Sequence, residues 1–210
     1  EELPIRILGG GSNLLISDKG VPGVVIHLAA PAFAEIVHQD NVILAGGGAK
    51  LGHLISTAAR EGLAGLEHLV GIPGTVGGAL RGNAGTENHD IGQCTTSATV
   101  MTRSGECITH SRDELRFAYR YSSLDELVIL KAEFQLEPHE KNELTKRMQM
   151  LWIVKKSRQP SNSDSAGRIF RNTGGMRAAD LIDQAGLKGT KIGEAAISEK
   201  HANFILAGPN

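Results

Sequence analysis

Cysteine is nearly absent: Cys94 and Cys107 are the only two in the chain. They show neither C-x-x-C spacing nor a nearby histidine pattern, which predicts two reduced thiols in a cytosolic protein, although a strand pair could still juxtapose them. An excess of charge is missing too, since 22 Lys and Arg stand against 23 Asp and Glu. That balance gives no electrostatic case for nucleic acid or an anionic membrane as partner, so any anionic ligand has to be gripped locally. No apolar run approaches the ~18 residues needed to cross a bilayer, and "EELPIRILGG" has neither the basic nor the apolar region of a secretion signal. His53, His68, His89 and His201 lack metal-ligand spacing, and Glu67–His68 lacks an H-E-x-x-H context, so no metal is expected. Position 1 is not Met, and the chain opens and stops almost directly on apolar strands; both ends are expected to be cut.

What the chain has in excess is glycine, 26 residues or about 12% against a usual ~7%, and it is clustered. "IRIL", "NLLIS" and "GVVIHL" read as three short strands separated by turn chemistry. Leu51, Leu54, Ile55, Ala58 and Ala59 form an amphipathic helical stripe closed by Gly62. Residues 63–92 hold too many glycines for one regular element and predict short turns of helix and loop. A hairpin is expected across Arg103–Gly105, and Ser111 with Glu114 forms a capping box for a short helix over 112–116. "ELVILKAEFQLE" reads as a long strand with Val128, Leu130, Ala132, Phe134 and Leu136 on one face. Beyond Pro138 the composition turns helical, with Leu144, Met148, Leu151 and Trp152 on one face and an end before Pro160. That change predicts a domain boundary near 138. A polar loop over 161–166, a strand at 168–171, a helix closed by Gly186 and strands near 195–198 and 203–207 are expected in the remainder.

Three stretches can carry chemistry. In "ILGGGSN", Gly9, Gly10 and Gly11 let successive backbone N–H groups converge on an anion, and Ser12 and Asn13 add donors; pyrophosphate is the natural guest, a tight strand connection the alternative. The spacing is neither the P-loop nor the G-x-G-x-x-G pattern, and the residues after it are strand-like, so a helix-dipole phosphate site is not expected there. "GIPGTVGGALRGNAG", 71–85, packs six glycines and a proline into fifteen residues, which suits main chain laid against a flat ligand or an ordered loop without one. In "FAYRYSS", Arg120 can fork onto a carboxylate or an enolate, or be an exposed arginine beside aromatics. Arg168 and Arg171, in "SAGRIFRNTGG", read equally as an anion grip, a catalytic device or solvated charges.

In order, "ILGGGSN", "GLEHLVGIPGTVGGALRGNAG", "YRYSS", "AGRIFRN", "LIDQAGLKG" and "SEKHANFI" resemble the UDP-N-acetylenolpyruvoylglucosamine reductase (UDP-N-acetylmuramate dehydrogenase) family. The match runs over essentially the whole chain. It implies an α+β protein: an FAD-binding domain of the vanillyl-alcohol-oxidase (PCMH) type over 1–137, its N-terminal part missing, then a smaller α+β substrate-binding domain over 138–210, its C-terminal part missing. The implied activity is an NADPH-dependent flavin oxidoreductase of peptidoglycan precursor synthesis in bacterial cytoplasm. It reduces UDP-N-acetylglucosamine enolpyruvate to UDP-N-acetylmuramate, without nucleic-acid or membrane partners. The resemblance assigns FAD to Gly9, Gly10, Gly11, Ser12, Asn13, Ile72, Pro73, Gly74, Thr75, Gly77, Gly78, Asn83 and Gly85. It assigns catalysis to Arg120, and substrate binding to Arg158, Asn172 and Gln184.

The family's proton donor, a Ser or Cys, falls on Arg168, whose guanidinium is a poor acid near neutrality. Thr173 stands where the family has Pro, and the family's acidic partner belongs to a C-terminal segment this chain does not contain. Three accounts remain open: a working reductase in which Ser122, Ser165 or a water takes over protonation, a degenerate relative that binds FAD or a UDP-sugar without turnover, or an error in the sequence at Arg168.

Overall fold

A computed structural model describes residues 3–86, 88–160 and 164–208. The chain forms two compact units, one of residues 1–10 and 19–151, the other of residues 11–18 and 152–210.

The first unit opens with β1 (Ile5–Leu8) and β2 (Val24–His27), which pair in parallel, Ile5 opposite Val24. The run at 13–17 forms no strand: Leu14, Leu15 and Ile16 are exposed. An apolar run alone cannot say whether a neighbour offers an edge to pair with. Next come β3 (Ile36–Gln39), β4 (Val42–Gly46), α1 (Leu51–Glu61), β5 (Leu63–Ala64) and α2 (Val76–Arg81). They are followed by β6 (Thr95–Met101), β7 (Cys107–Ser111), β8 (Phe117–Ala118), β9 (Tyr121–Ser122), β10 (Val128–Gln135) and β11 (Glu137–Pro138).

The centre of this unit is a five-stranded antiparallel sheet in the order β3-β4-β10-β6-β7. Its hairpin β6–β7 turns over Arg103–Gly105 as the sequence predicts. Strand β10 departs from strict alternation, because a register shift between Ile129 and Lys131 leaves Val128 and Ile129 both buried. A bulge of this kind re-aims side chains and increases local twist. Helix α1 follows its predicted stripe: Leu51, Leu54, Ile55 and Ala58 are buried, and Gly62, at φ 75°, donates to Ala58 and Ala59 to close it. These residues share one core with Ile43, Leu66, Leu80, Val100 and Phe134.

Ser111 and Glu114 do bond, the carboxylate accepting from both N–H and O–H of Ser111 at 2.8 and 2.9 Å, yet the chain makes only a turn over 112–114. The hydroxyl acts as donor to Glu114 rather than as acceptor from a helical N–H, so the second half of a capping box is not made.

Helix α3 (Lys141–Arg158) begins in the first unit and ends in the second. Of the stripe expected on it, Leu144 is buried with Ala59 and Ala64, and Met148 packs on them. Trp152 is 46% exposed, its ring instead 4.8 Å from the Lys156 ammonium, so the stripe is not continuous core. Buried Glu67 accepts from Gly65 N–H at 2.7 Å and from Arg147 of α3 at 2.8 Å. Burial pushes its carboxyl up, but the Gly65 and Glu67 N–H groups and the Arg147 guanidinium outweigh this and hold it below the usual carboxylate range.

The second unit carries α4 (Ala178–Gln184), then β12 (Lys191–Ile192), β13 (Ala195–Ile197) and β14 (Ile205–Leu206) as one antiparallel sheet. Gly186, at φ 69°, ends α4 with its N–H on Asp183 O, while Leu187 N–H reaches Ile182 O. That pair of bonds is the Schellman arrangement. The strand expected at 168–171 reduces to a single bridge, Arg168 with Phe204. Of the polar loop expected at 161–166, residues 161–163 lie outside the described residues.

Candidate active site

A cleft of about 320 Å³ lies within the first unit, a volume within the range of small-molecule sites. Its walls are β1 with Gly9, the Gly47–Gly48 turn after β4, the start of α2, and residues 125–129 leading into β10. Arg6, Arg81 and Arg103 bring positive charge to this lining, Asp125 and Glu126 bring negative charge, and the rest is largely apolar side chains and main chain. The three arginines are cations that could hold an anion locally, as a chain without excess charge would need to.

Of the residues expected to bind a cofactor, Gly9, Thr75, Gly77 and Gly78 line this cleft. Their glycines also serve packing. A Cβ on Gly9 would stand 2.7 Å from Thr75 Oγ1, and one on Gly10 2.8 Å from Gly74 Cα. At Gly10 main chain presses on main chain, and at Gly9 on the Thr75 side chain, approaches that a Cβ would block. Thr75 caps α2, accepting from Gly78 N–H at 3.3 Å, while Val76 and Gly77 donate to Ala49 and Gly47 at 2.9 and 2.8 Å. The first N–H groups of α2 are therefore engaged inside the protein. Ile72 packs partly on the core, and Pro73 is exposed beside it. Gly85 bridges to Asp90 and closes the 85–90 loop, too close to Asp90 to carry a side chain. Gly11, Ser12 and Asn13 belong to the second unit, where Asn13 Oδ1 lies 3.5 Å from the point a Gly167 Cβ would occupy.

Arg120 sits at the tip of the β8–β9 hairpin, half-buried, at φ 58°. A left-handed conformation costs a residue other than glycine about 1 kcal/mol or more and persists where the surroundings enforce it. Asn83 does so: it is 5% exposed, donates Nδ2 to Ala118 O at 3.0 Å, and accepts Gly92 N–H on Oδ1 at 3.1 Å. Ser122 Oγ donates to Arg81 O at 3.0 Å, and Arg81 donates to Leu124 O. Asn83 thus holds the hairpin from below rather than lining the cleft, and the Ser122 hydroxyl is committed to a carbonyl.

In the second unit, the "RIFRN" backbone is pinned by Asn203, whose Oδ1 accepts Phe170 N–H and whose Nδ2 donates to Phe170 O, each at 2.8 Å. Arg168 is exposed beside this clamp. Burial, with the Arg168 charge, lowers the Lys155 ammonium to about 8 and also lowers His201. Ser165 Oγ accepts from Gly167 N–H at 3.2 Å. Asn172 Oδ1 accepts Ala178 N–H at 3.1 Å, at the first turn of α4, while Gln184 is that helix's last residue. The two lie at opposite ends of α4, about 10 Å apart along the axis. Arg158 is exposed at the end of α3.

Several positions on the cleft carry no motif that sequence reasoning could use. Gly47 and Gly48 line the cleft, where side chains on them would collide with Ile129 O and Leu28 O. Their one signal is the echo of "ILGGGSN" in "LAGGG", which reads as turn chemistry alone until both turns are seen on one wall. Arg81, Arg103 and Glu126 have no signal, because a single charged residue in a loop carries no spacing.

Residues 1–111 match a family model described as FAD binding domain, and residues 159–210 match the UDP-N-acetylenolpyruvoylglucosamine reductase C-terminal domain. The chain is 40% identical over all 210 residues to a protein named UDP-N-acetylenolpyruvoylglucosamine reductase from Rhodopirellula baltica, of which it spans 69%. Against the Listeria innocua protein of the same name it is 42% identical over 98% of its length, again spanning 69% of the relative. The crystal structure of UDP-N-acetylenolpyruvylglucosamine reductase (MurB) from Thermus caldophilus superposes over the whole chain and 76% of that protein, with TM-score 0.88 and 39% identity. A 6-hydroxy-D-nicotine oxidase structure matches 65% of the chain at TM-score 0.50 and 27% identity. The glycine-walled cleft therefore lies in an FAD-binding domain of the vanillyl-alcohol-oxidase type, and the chain belongs to the UDP-N-acetylenolpyruvoylglucosamine reductase family.

Proposed function

We propose that the protein uses NADPH to reduce UDP-N-acetylglucosamine enolpyruvate to UDP-N-acetylmuramate, and that it does so in the bacterial cytoplasm as a step of peptidoglycan synthesis on which cell shape and division depend. The observation that carries this reading is Arg120, a strained residue at φ 58° on a hairpin braced by a buried asparagine. A left-handed backbone held at a cationic residue by a buried brace is an outlier that motivates a functional reading. The family match supplies the substrate class.

The cleft fits FAD. Arg6, Arg81 and Arg103 would hold its pyrophosphate, main chain at Gly9, Gly47, Gly48, Gly77 and Gly78 would give flat walls, and a buried Glu126 oxygen is left for a ligand donor. When bound, FAD supplies the hydride carrier that links NADPH to the vinyl group. Gly9, Gly10, Thr75, Gly77 and Gly78 are the residues we assign to holding it, with Arg81 on the anionic portion. Reduction of an enolpyruvyl group leaves negative charge delocalised onto its carboxylate. Arg120 holds a planar, permanently charged guanidinium for that charge, and a pre-set donor needs no reorganisation as the charge develops. Arg158, Asn172 and Gln184 are assigned to the UDP-sugar.

Protonation of the adjacent carbon cannot come readily from Arg168, since guanidinium keeps its proton to above about pH 12.

The test is NADPH oxidation, followed by absorbance, in FAD-reconstituted protein with and without UDP-N-acetylglucosamine enolpyruvate. Substrate-dependent consumption supports the reading; consumption at background refutes it. No helix among the described residues is long and apolar enough to cross a membrane, which is compatible with the compartment assigned.

A further inference from the structure

One group on the cleft wall takes no part in that reaction. Glu126, in the segment entering β10, lines the cleft with its side chain 16% exposed. Its Oε1 lies 2.6 Å from His110 Nε2 of β7. Its Oε2 is buried with no hydrogen-bond donor among the described residues. A buried carboxylate oxygen left unpaired costs more than a neutral group does, so it calls for a specific reason. His110 fixes the carboxylate by one oxygen and thereby directs the other, which is how a binding group is kept in place before its ligand arrives.

The chemistry of a carboxylate restricts what that ligand portion can be. It accepts O–H and N–H donors and repels anions, so it cannot serve a pyrophosphate. The flavin edge that takes up negative charge on reduction is excluded for the same reason. The phosphates have their own partners on the same wall in Arg6, Arg81 and Arg103. Of the donors a flavin dinucleotide still offers a carboxylate, the flavin N3–H and the ribityl hydroxyls are shared with FMN, and the ribose diol and exocyclic amine of the adenosine end belong to FAD alone. Acidic side chains take a ribose diol by two charge-assisted hydrogen bonds in other dinucleotide sites.

We propose that Glu126, oriented by His110, accepts hydrogen bonds from the adenosine end of the cofactor and makes the site selective for FAD over FMN. The proposal rests on the cleft being the FAD site. Ribityl hydroxyls are shared by both flavins, so FMN serves as the control within the same experiment.

Flavin affinity, read by fluorescence quenching on titration, tests this without reference to turnover. Glu126→Ala weakens FAD binding about 10–100-fold, the loss of one or two hydrogen bonds to a charged group, and changes FMN binding less than about 2-fold. Glu126→Gln, which keeps the shape and an acceptor oxygen but not the charge, falls between wild type and alanine for FAD. It carries the comparison should the alanine variant fail to fold. His110→Phe, leaving the carboxylate unfixed, weakens FAD in the same selective way but by less. An equal loss for FAD and FMN, or no loss for FAD, overturns the assignment. Wild-type protein that binds neither flavin overturns the FAD reading itself, whereas wild type that binds FAD beside variants that bind it equally well overturns only the role of Glu126.

Discussion

Replacing Asn83 with alanine removes the brace under Arg120, and the structure sets the size of the loss. Asn83 is 5% exposed and makes two hydrogen bonds with main chain far from it in sequence, to Gly92 N–H and Ala118 O. Gly92 is buried, so its orphaned N–H costs about 1–3 kcal/mol; the Ala118 carbonyl, on an exposed residue, can turn to water and costs about 1 kcal/mol. Asn83 also sits at φ 44°, a left-handed conformation that asparagine tolerates and alanine does not, which adds about 1 kcal/mol. The sum is about 3–5 kcal/mol, against total stabilities of about 5–15 kcal/mol. Asn83→Gly loses the same two bonds but not the backbone preference, so it should be the more stable variant by about 1 kcal/mol. Urea unfolding followed by far-UV circular dichroism measures both. If Asn83→Ala loses less than about 1 kcal/mol, the brace is not what holds the hairpin; if alanine equals or exceeds glycine, the left-handed backbone at position 83 carries no cost. A kinetic signature should accompany the loss at temperatures where the variant stays folded. Turnover falls while flavin affinity is kept, because Asn83 touches the hairpin and does not line the cleft.

Arg120→Gly relieves the left-handed backbone and should raise stability by about 0.5–1 kcal/mol while lowering turnover about a hundredfold or more; a variant both active and more stable refutes the charge-stabilising role. Glu67 has its folded pKa below the ordinary 4.5, so the stability it contributes is fully present above pH 4.5 and is lost as pH falls through the lower folded value. Acid titration of Glu67→Gln should therefore show a shallower fall of stability below pH 4.5 than wild type, and an identical slope refutes the reading. Arg168→Ser puts a hydroxyl where the guanidinium stands and should raise turnover about a hundredfold or more under steady-state assay; an unchanged rate refutes the idea that position 168 limits protonation.

Elements whose reason is local were readable in advance. The stripe of α1 and its Gly62 stop, the β6–β7 hairpin, the β10 run and the Gly186 cap each depend on side chains within a few residues of one another. The same local logic misled where a partner was needed. Leu14–Ile16 has the composition of a strand but no strand to pair with, and Ser111–Glu114 makes its contact without the helix that would extend it. Likewise Trp152 falls on the apolar stripe of α3, yet only its Leu144 end meets a core.

The candidate site divides in the same way. The amino-acid sequence by itself determined the family, the glycine-rich turns and the positions of Arg120 and Arg168, because motif order and backbone freedom are properties of the chain. Tertiary structure alone decided which glycines face a cleft and which face each other, since a missing Cβ looks the same in both settings. It decided as well that Asn83 braces a hairpin 35 residues away and that Asn203 clamps Phe170 from 33 away. It left one oxygen of Glu126 buried and waiting on that cleft. Hydrogen bonds between distant segments depend on how the chain folds back on itself, and no periodicity along the sequence encodes which donor will meet which acceptor.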